Sequence, residues 1–349
     1  MGPHGVSLRM IRLKDIALRA GVSIMTVSKA LRDEPDISVA TKARIRMMAA
    51  EMGYTPDSLA RSLRTRRSKL FGLVISAVTN PVFARTIMAI EEQAHELGYD
   101  LAFAQTLNRP EREQTVIHHL LSRRVEGLFV APVYRLDPRA AVYEELRKRR
   151  TPVVLFGHRA PFCHDFANVE TDDMAASLAA TQHLLELGHR RIAFLAGHPA
   201  VPSAQERLEG YRRALRDAGL EPDDRLIFNA GSTIEEGGKA ALQLLNESPG
   251  ATAIQAVNDL VAIGAANVLL QQGLAIPRDI SIVGFGNVLV SEHFRVPLTT
   301  IRQPKFRLGT AAMELMLRQL RGEPGGTKRL PAELIIRDST APPIVPPGA

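Results

Sequence analysis

Met25, Ser28, Lys29 and Arg32 recur at i, i+3, i+4 and i+7. That spacing lines the four side chains along one face of a helix. Together they offer a thioether, a hydroxyl and two cations. Lysine can donate to guanine acceptors in the major groove of DNA, and an apolar tip can meet a thymine methyl. Thr26 and Arg32 suit phosphate oxygens, which position a protein on a duplex without reading its sequence. Ile24 is ambiguous: its spacing groups it with Val27 and Leu31 in a core, and its place at the helix start turns it toward a groove. The same pattern is compatible with a small three-helix bundle with a polar outer face.

The elements that must hold these residues are legible nearby. Leu13, Ile16, Ala17 and Ala20 form one apolar stripe, and Gly21 ends that helix by accepting a left-handed turn. Ser23 is a good N-cap for a second helix from about Ile24 to Arg32. Ser38 caps a third, which runs to about Met52 and stops at Gly53. Two short helices joined by a glycine turn, then a third, is the helix-turn-helix pattern, in which the second helix enters the major groove. A basic stretch follows, Asp57-Ser-Leu-Ala-Arg-Ser-Leu-Arg-Thr-Arg-Arg-Ser-Lys69. Asp57 and Ser58 can cap a short helix with Leu59, Ala60 and Leu63 on an apolar edge and Arg61 and Arg64 elsewhere. So short a helix needs a partner to order against, such as a twin helix or a minor groove, where leucine can wedge base steps apart. A flexible basic linker is the other reading of that stretch.

Charge separates this segment from the rest. Residues 1–69 hold 14 Lys/Arg against 6 Asp/Glu, whereas residues 70–349 hold 30 against 31, so the whole positive excess is N-terminal. A basic module beside a near-neutral body points to nucleic acid plus a second task. From Leu70 the chain alternates short apolar runs (70–76, 101–105, 127–131, 152–156, 191–196, 252–257, 280–285) with amphipathic stretches such as 84–97, 111–122 and 174–187. This is α/β architecture with parallel sheets covered on both faces, and the strand number favours two lobes facing a cleft. At 349 residues the chain has room for such a body beside the small module.

Enzyme signatures are scarce. Gly284-Phe-Gly286 starts like a dinucleotide loop, but position 289 is Leu, not the third Gly. There is no Walker-type phosphate loop, no G-x-S-x-G elbow and no H-E-x-x-H. His158, Cys163, His164 and Asp165 cluster in sequence but read as a surface loop, and His118 and His119 are neighbours on a helix that point apart. No metal or cofactor is expected. The single Cys163 excludes an intrachain disulfide and fits a reducing cytoplasm. No apolar run reaches the ~18 residues of a membrane span, and no secretory leader is evident. The absence of Trp disfavours a carbohydrate-active enzyme lined with indole platforms.

With these features in place, the chain resembles the lactose/galactose-repressor (LacI/GalR) family. The resemblance rests on Leu13-Lys-Asp-Ile-Ala, Ala20-Gly-Val-Ser and Thr26-Val-Ser-Lys-Ala-Leu, and on Gly53-Tyr-Thr-Pro-Asp-Ser-Leu-Ala-Arg-Ser-Leu63. Asn80-Pro-Val-Phe83, Ser122-Arg-Arg-Val-Glu-Gly127, Gly188-His-Arg-Arg-Ile192 and Pro297-Leu-Thr-Thr-Ile301 extend it to about Pro342. It implies a homodimeric transcription regulator, commonly a repressor, with a near-palindromic double-stranded operator and a small-molecule effector. It also implies an N-terminal all-α helix-turn-helix domain and a two-lobed, periplasmic-binding-protein-like sensor.

Carried over by position, base reading falls to Ile24, Met25 and Lys29, phosphate contact to Thr26, Ser28 and Arg32, and minor-groove wedging to Leu63 within a hinge helix bearing Ser58, Ala60, Arg61 and Arg64. Effector contacts fall to Phe83, Arg207, Asn258 and Asp259, joined by His158, Arg159 and Asn287. The family often has Gly-Phe/Tyr-Asp-Asp where this chain has Gly284-Phe-Gly286-Asn287. The lost carboxylate beside a retained Arg207 suggests an acidic effector such as a sugar acid. The expected division is an extension or tag at 1–11, a DNA-binding domain at 12–56, a hinge and linker at 57–69, a sensor at 70–342 and a tail at 343–349. Within the sensor, one lobe is expected at 70–167 and 298–328 and the other at 168–297 and 329–342, with one lobe crossing near Leu289–Val296. The rival readings are a small-molecule binder with nonspecific DNA affinity and an α/β enzyme fused to a DNA module.

Overall fold

The computed structural model describes residues 11–55, 67–247 and 250–344. The chain divides into two compact units at Ser68 and Lys69. The first holds α1 (Leu13–Ala20), α2 (Ile24–Leu31) and α3 (Val39–Glu51). Ile16, Ala17 and Ala20 of α1, Val27 and Ala30 of α2, and Ile45 and Ala49 of α3 form one small core. Gly21 closes α1 at φ +64°, and the hydroxyls of Ser23 and Ser38 accept from the amides of Thr26 and Thr41 to start the next two helices. The hinge positions Ser58, Ala60, Arg61, Leu63 and Arg64 lie outside the described residues.

The second unit contains two six-stranded sheets. The first uses β1 (Leu70–Ile75), β2 (Asp100–Gln105), β3 (Gly127–Val130), β4 (Val153–Phe156), β5 (Ala167–Thr171) and β11 (Thr327–Leu330). The second uses β6 (Ile192–Ala196), β7 (Ile227–Asn229), β8 (Ala253–Ala256), β9 (Ser281–Gly286), β10 (Thr299–Arg302) and β12 (Glu333–Ile335). Their orders are β11-β5-β4-β3-β1-β2 and β12-β10-β9-β8-β6-β7. Every pairing is parallel except that of β10 with β12. Helices α4 (Ala84–Glu96), α5 (Pro110–Ser122), α6 (Ala141–Arg149) and α12 (Lys305–Leu320) belong to the first lobe. Helices α7 (Asp173–Glu186), α8 (Pro202–Asp217), α9 (Ile234–Glu247), α10 (Asp259–Gln271) and α11 (Leu289–His293) belong to the second. Continuous apolar runs suit these strands because both faces are covered. In the first sheet, Phe71, Phe129 and Phe156 face Ile90, Met313 and Met316, whereas Leu128, Val130 and Leu155 face Ile117, Leu120 and Tyr143.

The chain passes between lobes at Asp172, at Gln303–Pro304 and at 331–332. These points correct the expected limits: 167–171 and 327–330 join the first sheet and 299–302 the second. Residues 289–296 are not a crossing, since α11 links β9 to β10 within one sheet.

Helices α7 and α8 pack closely because residue 210 has no side chain. A Cβ there would stand 2.4 Å from the Met174 carbonyl oxygen and 2.9 Å from the Leu178 nitrogen. This approach sets Glu206 and Arg207 of α8 against the first turn of α7. Gly210→Ala is expected to force the two helices apart and cost about 1–3 kcal/mol. Urea unfolding of the variant checks this, and an unchanged midpoint would contradict it.

Candidate functional site

In the first unit, α2 buries Val27 and Ala30 and presents its other side outward. Ile24 is 52% exposed and Met25 62% exposed. The structure thus corrects the core assignment that spacing allowed for Ile24: as the first helical residue it projects beyond the neighbours that cover Val27. Ser28 and Lys29 are half-buried, and Arg32 is exposed. The Thr26 hydroxyl lies 2.9 Å from that of Ser23, inside the N-cap. The Lys29 ammonium is paired with Asp36. Arg32 donates to the Ser28 carbonyl at 3.1 Å and lies 3.7 Å from Glu34. Exposed pairs of this kind contribute only about 0–1 kcal/mol, so exchanging them for a base or a phosphate costs little.

In the second unit, charged groups from both lobes converge. His158 follows β4 of the first lobe, and Arg329 lies on β11 of the same lobe. Asp173 opens α7 of the second lobe, and Glu206 and Arg207 are on α8. Arg207 commits all three guanidinium nitrogens and three of its five N–H groups: Nε and Nη2 donate to Asp173 Oδ1 at 2.9 and 2.8 Å, and Nη1 donates to the Val257 carbonyl at 2.6 Å. Its planar carbon sits 3.7 Å from the Phe285 ring centroid, a stacked cation–π contact. Arg329 donates to Glu170 at 2.7 Å and to Glu206 Oε1 at 2.9 Å, the latter across the lobes. His158 Nε2 lies 3.0 Å from Glu206 Oε2 and 3.5 Å from Asp173 Oδ2.

The protonation of the cluster follows from burial set against these neighbours. Burial raises the Asp173 carboxyl above its ordinary range, and the charges of Arg207 and His158 only partly oppose it. Burial pulls the His158 ring down, but the Glu206 contact and the charges of Asp173, Glu206 and Glu170 outweigh it and leave the ring raised. Burial favours neutral Glu206, yet His158 and Arg329 hold its carboxyl below the ordinary value.

Other expected effector residues are occupied differently. Asp259 is 1% exposed, and its carboxylate accepts from the Val288 amide at 2.8 Å and the Thr300 hydroxyl at 2.5 Å. Burial raises its pKa. It therefore braces the β9–α11 turn rather than facing a cleft. The same carboxylate bears on the missing acid at 286: a Cβ there would adopt φ +138° and lie 3.4 Å from Asp259 Oδ2. Asn287 accepts from Arg337 at 2.7 Å, and its carbonyl accepts from Lys305 at 3.0 Å. The Asn258 amide caps α10, accepting from Val261 at 2.8 Å and donating to the Ser232 carbonyl at 3.1 Å. Arg159 donates to the Phe166 carbonyl at 2.9 Å within its own loop. Phe83 precedes α4 and packs half-buried on the first-lobe core.

The loop residues near His158 also separate. Cys163 is buried beside Ala160, His164 bonds the Pro161 carbonyl, and Asp165 pairs with Arg147. Sequence reasoning missed Asp173, Glu206, Glu170 and Arg329. Only the adjacency of Glu206 to Arg207 was a local signal, since Arg329 meets Glu206 across 123 residues.

A helical module with an exposed reading face and a two-lobed domain with polar groups converging between its lobes define a ligand-responsive DNA-binding regulator. Residues 12–57 match the bacterial regulatory proteins of the lacI family, and residues 181–340 match a periplasmic binding protein-like domain. The chain is 34% identical over 330 residues to the HTH-type transcriptional repressor CytR of Escherichia coli (strain K12), covering 94% of this chain and 96% of the relative. A lac repressor dimer bound to operator and the anti-inducer ONPF aligns with TM-score 0.85 and 28% identity, covering 95% of this chain and 100% of that one. A complex of the transcriptional regulator CelR with cellobiose aligns with TM-score 0.72 and 29% identity, covering 94% and 99%. The chain belongs to the LacI family. Among the described residues, no helix is long and apolar enough to cross a membrane.

Asp173→Ala would strand the Arg207 guanidinium, 13% exposed, without its carboxylate. Breaking a buried pair from one side costs about 3–5 kcal/mol. Chemical denaturation should show a loss of that size, and a loss under about 1 kcal/mol would contradict the pairing.

Proposed function

We propose that this chain is a homodimeric transcriptional repressor that senses a hydroxyl-rich small molecule between its lobes and acts in the cytoplasm rather than as an enzyme. The observation that carries the sensing half is the convergence of His158 and Arg329 from one lobe with Asp173, Glu206 and Arg207 from the other. Three carboxylates, Asp173, Glu206 and Glu170, here meet two guanidiniums. The expected preference for a sugar acid rested on the carboxylate missing at 286 beside Arg207, with His158 or Arg159, but Arg207 is paired with Asp173, and Arg159 donates to the Phe166 carbonyl. Free carboxylate oxygens and an imidazole instead suit donated hydroxyls, as a neutral sugar provides. The cellobiose complex of the similar regulator CelR is in keeping with this.

On DNA, Met25 and Lys29 face base edges, with Ile24 at the groove floor. Thr26, Ser28 and Arg32 meet the backbone. Two copies of α2 would read half-sites about 34 Å apart on a near-palindrome. The segment 57–69, with Leu63 as its wedge, would link the two functions. An effector that prefers one lobe arrangement shifts operator affinity by its differential affinity and no more.

Two measurements test this reading. In fluorescence-anisotropy titrations, the preferred operator should bind ~10³-fold or more tighter than random duplex. Lys29→Ala should cost about 1–3 kcal/mol on that operator and relax one position, whereas Arg32→Ala should weaken all duplexes alike and lower the salt slope by about 1. Equal affinity for every duplex would instead favour nonspecific attachment. In a thermal-shift panel, a neutral sugar at ~100 times its Kd should add about 2.7 kcal/mol. Stabilisation by sugar acids alone would overturn the assignment of a neutral ligand.

A further inference from the structure

We propose that His158, Asp173 and Glu206 form a site for a divalent transition-metal ion of the zinc class, held between the two lobes. One ligand atom from each of the three lies within 4.8 Å of the others. His158 Nε2 stands 3.0 Å from Glu206 Oε2 and 3.5 Å from Asp173 Oδ2. Nitrogen and oxygen ligands ~2.1 Å from one zinc ion at tetrahedral or octahedral angles are separated by about 3.0–3.4 Å. The two spacings from His158 Nε2 lie at that edge, and the third is bounded by 4.8 Å.

A second observation concerns direction. The His158 side chain is 5% exposed, yet among the described residues neither ring nitrogen has an aligned hydrogen-bond partner, and neither has Glu206 Oε2. A proton on Nε2 lies on the ring axis and must point at its acceptor. An ion on the same axis holds its other ligands off that axis. Close contact without alignment therefore fits an ion better than a proton.

The remaining oxygens are fixed as supporting contacts around a metal usually are. Asp173 commits Oδ1 to Arg207, and Glu206 commits Oε1 to Arg329. Each carboxylate thus turns its other oxygen toward His158. Arg207 and Arg329 answer two of the three neighbouring carboxylates, so the third charge falls to whatever cation stands at His158 Nε2, a ring proton or an ion. One imidazole with two carboxylates suits zinc-like ions, whereas magnesium and calcium favour all-oxygen sets. Three protein ligands leave a position open for water or a hydroxyl of a cleft ligand. The ion would bridge the lobes, since His158 comes from one and both carboxylates from the other. This inference goes beyond the regulatory reading, and its test involves neither DNA nor effector.

The experiment is equilibrium dialysis of the full chain, stripped with EDTA, against buffered zinc chloride, with elemental analysis. Wild type should retain one more zinc per chain than His158→Ala, and Glu206→Gln should bind at least ~10-fold more weakly. Circular dichroism melts establish that each variant is folded. If His158→Ala fails to fold, Glu206→Gln, which keeps the side-chain shape, decides. Cobalt(II) should give a d–d absorption band in wild type that Glu206→Gln lacks. Equal zinc uptake by wild type and Glu206→Gln would overturn the site by assigning the metal to other surface imidazoles. No uptake by wild type would overturn it by leaving only a ring proton between His158 and the two carboxylates.

Discussion

A buried carboxylate at the join of two lobes must be neutralised, and much of the sensor is arranged around Asp173 for that reason. Leaving such a charge unpaired costs several kcal/mol. The planar fork of Arg207 answers one oxygen, and its stacking on Phe285 and bond to the Val257 carbonyl leave the guanidinium no alternative position. The fork reaches Asp173 only because α7 and α8 approach closely at Gly210. The second oxygen faces His158 of the opposite lobe. Glu206 repeats the scheme, with one oxygen held by Arg329 and the other beside His158.

This distribution of charge links binding to lobe position. His158 and Arg329 move with one lobe, and Asp173, Glu206 and Arg207 with the other. A ligand entering between them would replace contacts that now cross the join, and would then have different interaction energies with different lobe arrangements. That difference is what a population shift requires. Near by, Lys305 of the first lobe donates to the carbonyls of Gly286 and Asn287 at the end of β9, next to buried Asp259. Burial lowers the Lys305 ammonium's pKa, and the Asp259 charge resists the shift. The lobes thus meet through polar groups, which can be exchanged for a ligand's hydroxyls more readily than an interlocked apolar seam. In the helical module, Lys29 and Arg32 likewise rest in weak pairs, with Asp36 and Glu34, that a stronger anion could displace.

The small module was the more legible half. Leu13, Ile16, Ala17 and Ala20 gave the stripe of α1, and serine caps gave the starts of α2 and α3. Only Ile24 resisted, because helical period does not say how far the neighbouring helices extend over a first turn. In the sensor, the strands of four or more mainly apolar residues stood out, whereas β5, β7, β10, β11 and β12 did not. Polar residues enter each of these, as in Ala-Asn-Val-Glu-Thr of β5 and Thr-Thr-Ile-Arg of β10, and β11 reads Thr-Lys-Arg-Leu with no apolar run. The misplaced lobe limits follow from those strands. The cluster was half visible: Arg207 and His158 were identified, but their partners come from other elements. Nothing local in Asp172-Asp173 says which carboxylate turns inward. The burial of Asp259 was also unreadable, since it depends on Thr300 and the Val288 amide folding over it.

If the cleft regulates the helical module, occupancy between the lobes and operator binding are one linked equilibrium. The most direct test is a closed thermodynamic cycle with a ligand found to bind the cleft. Operator affinity is measured with and without saturating ligand, and ligand affinity with and without saturating operator. Both affinities should change by the same factor, within about 5–150-fold for a coupling of 1–3 kcal/mol. A ligand that binds the cleft tightly and leaves operator affinity unchanged would contradict the linkage.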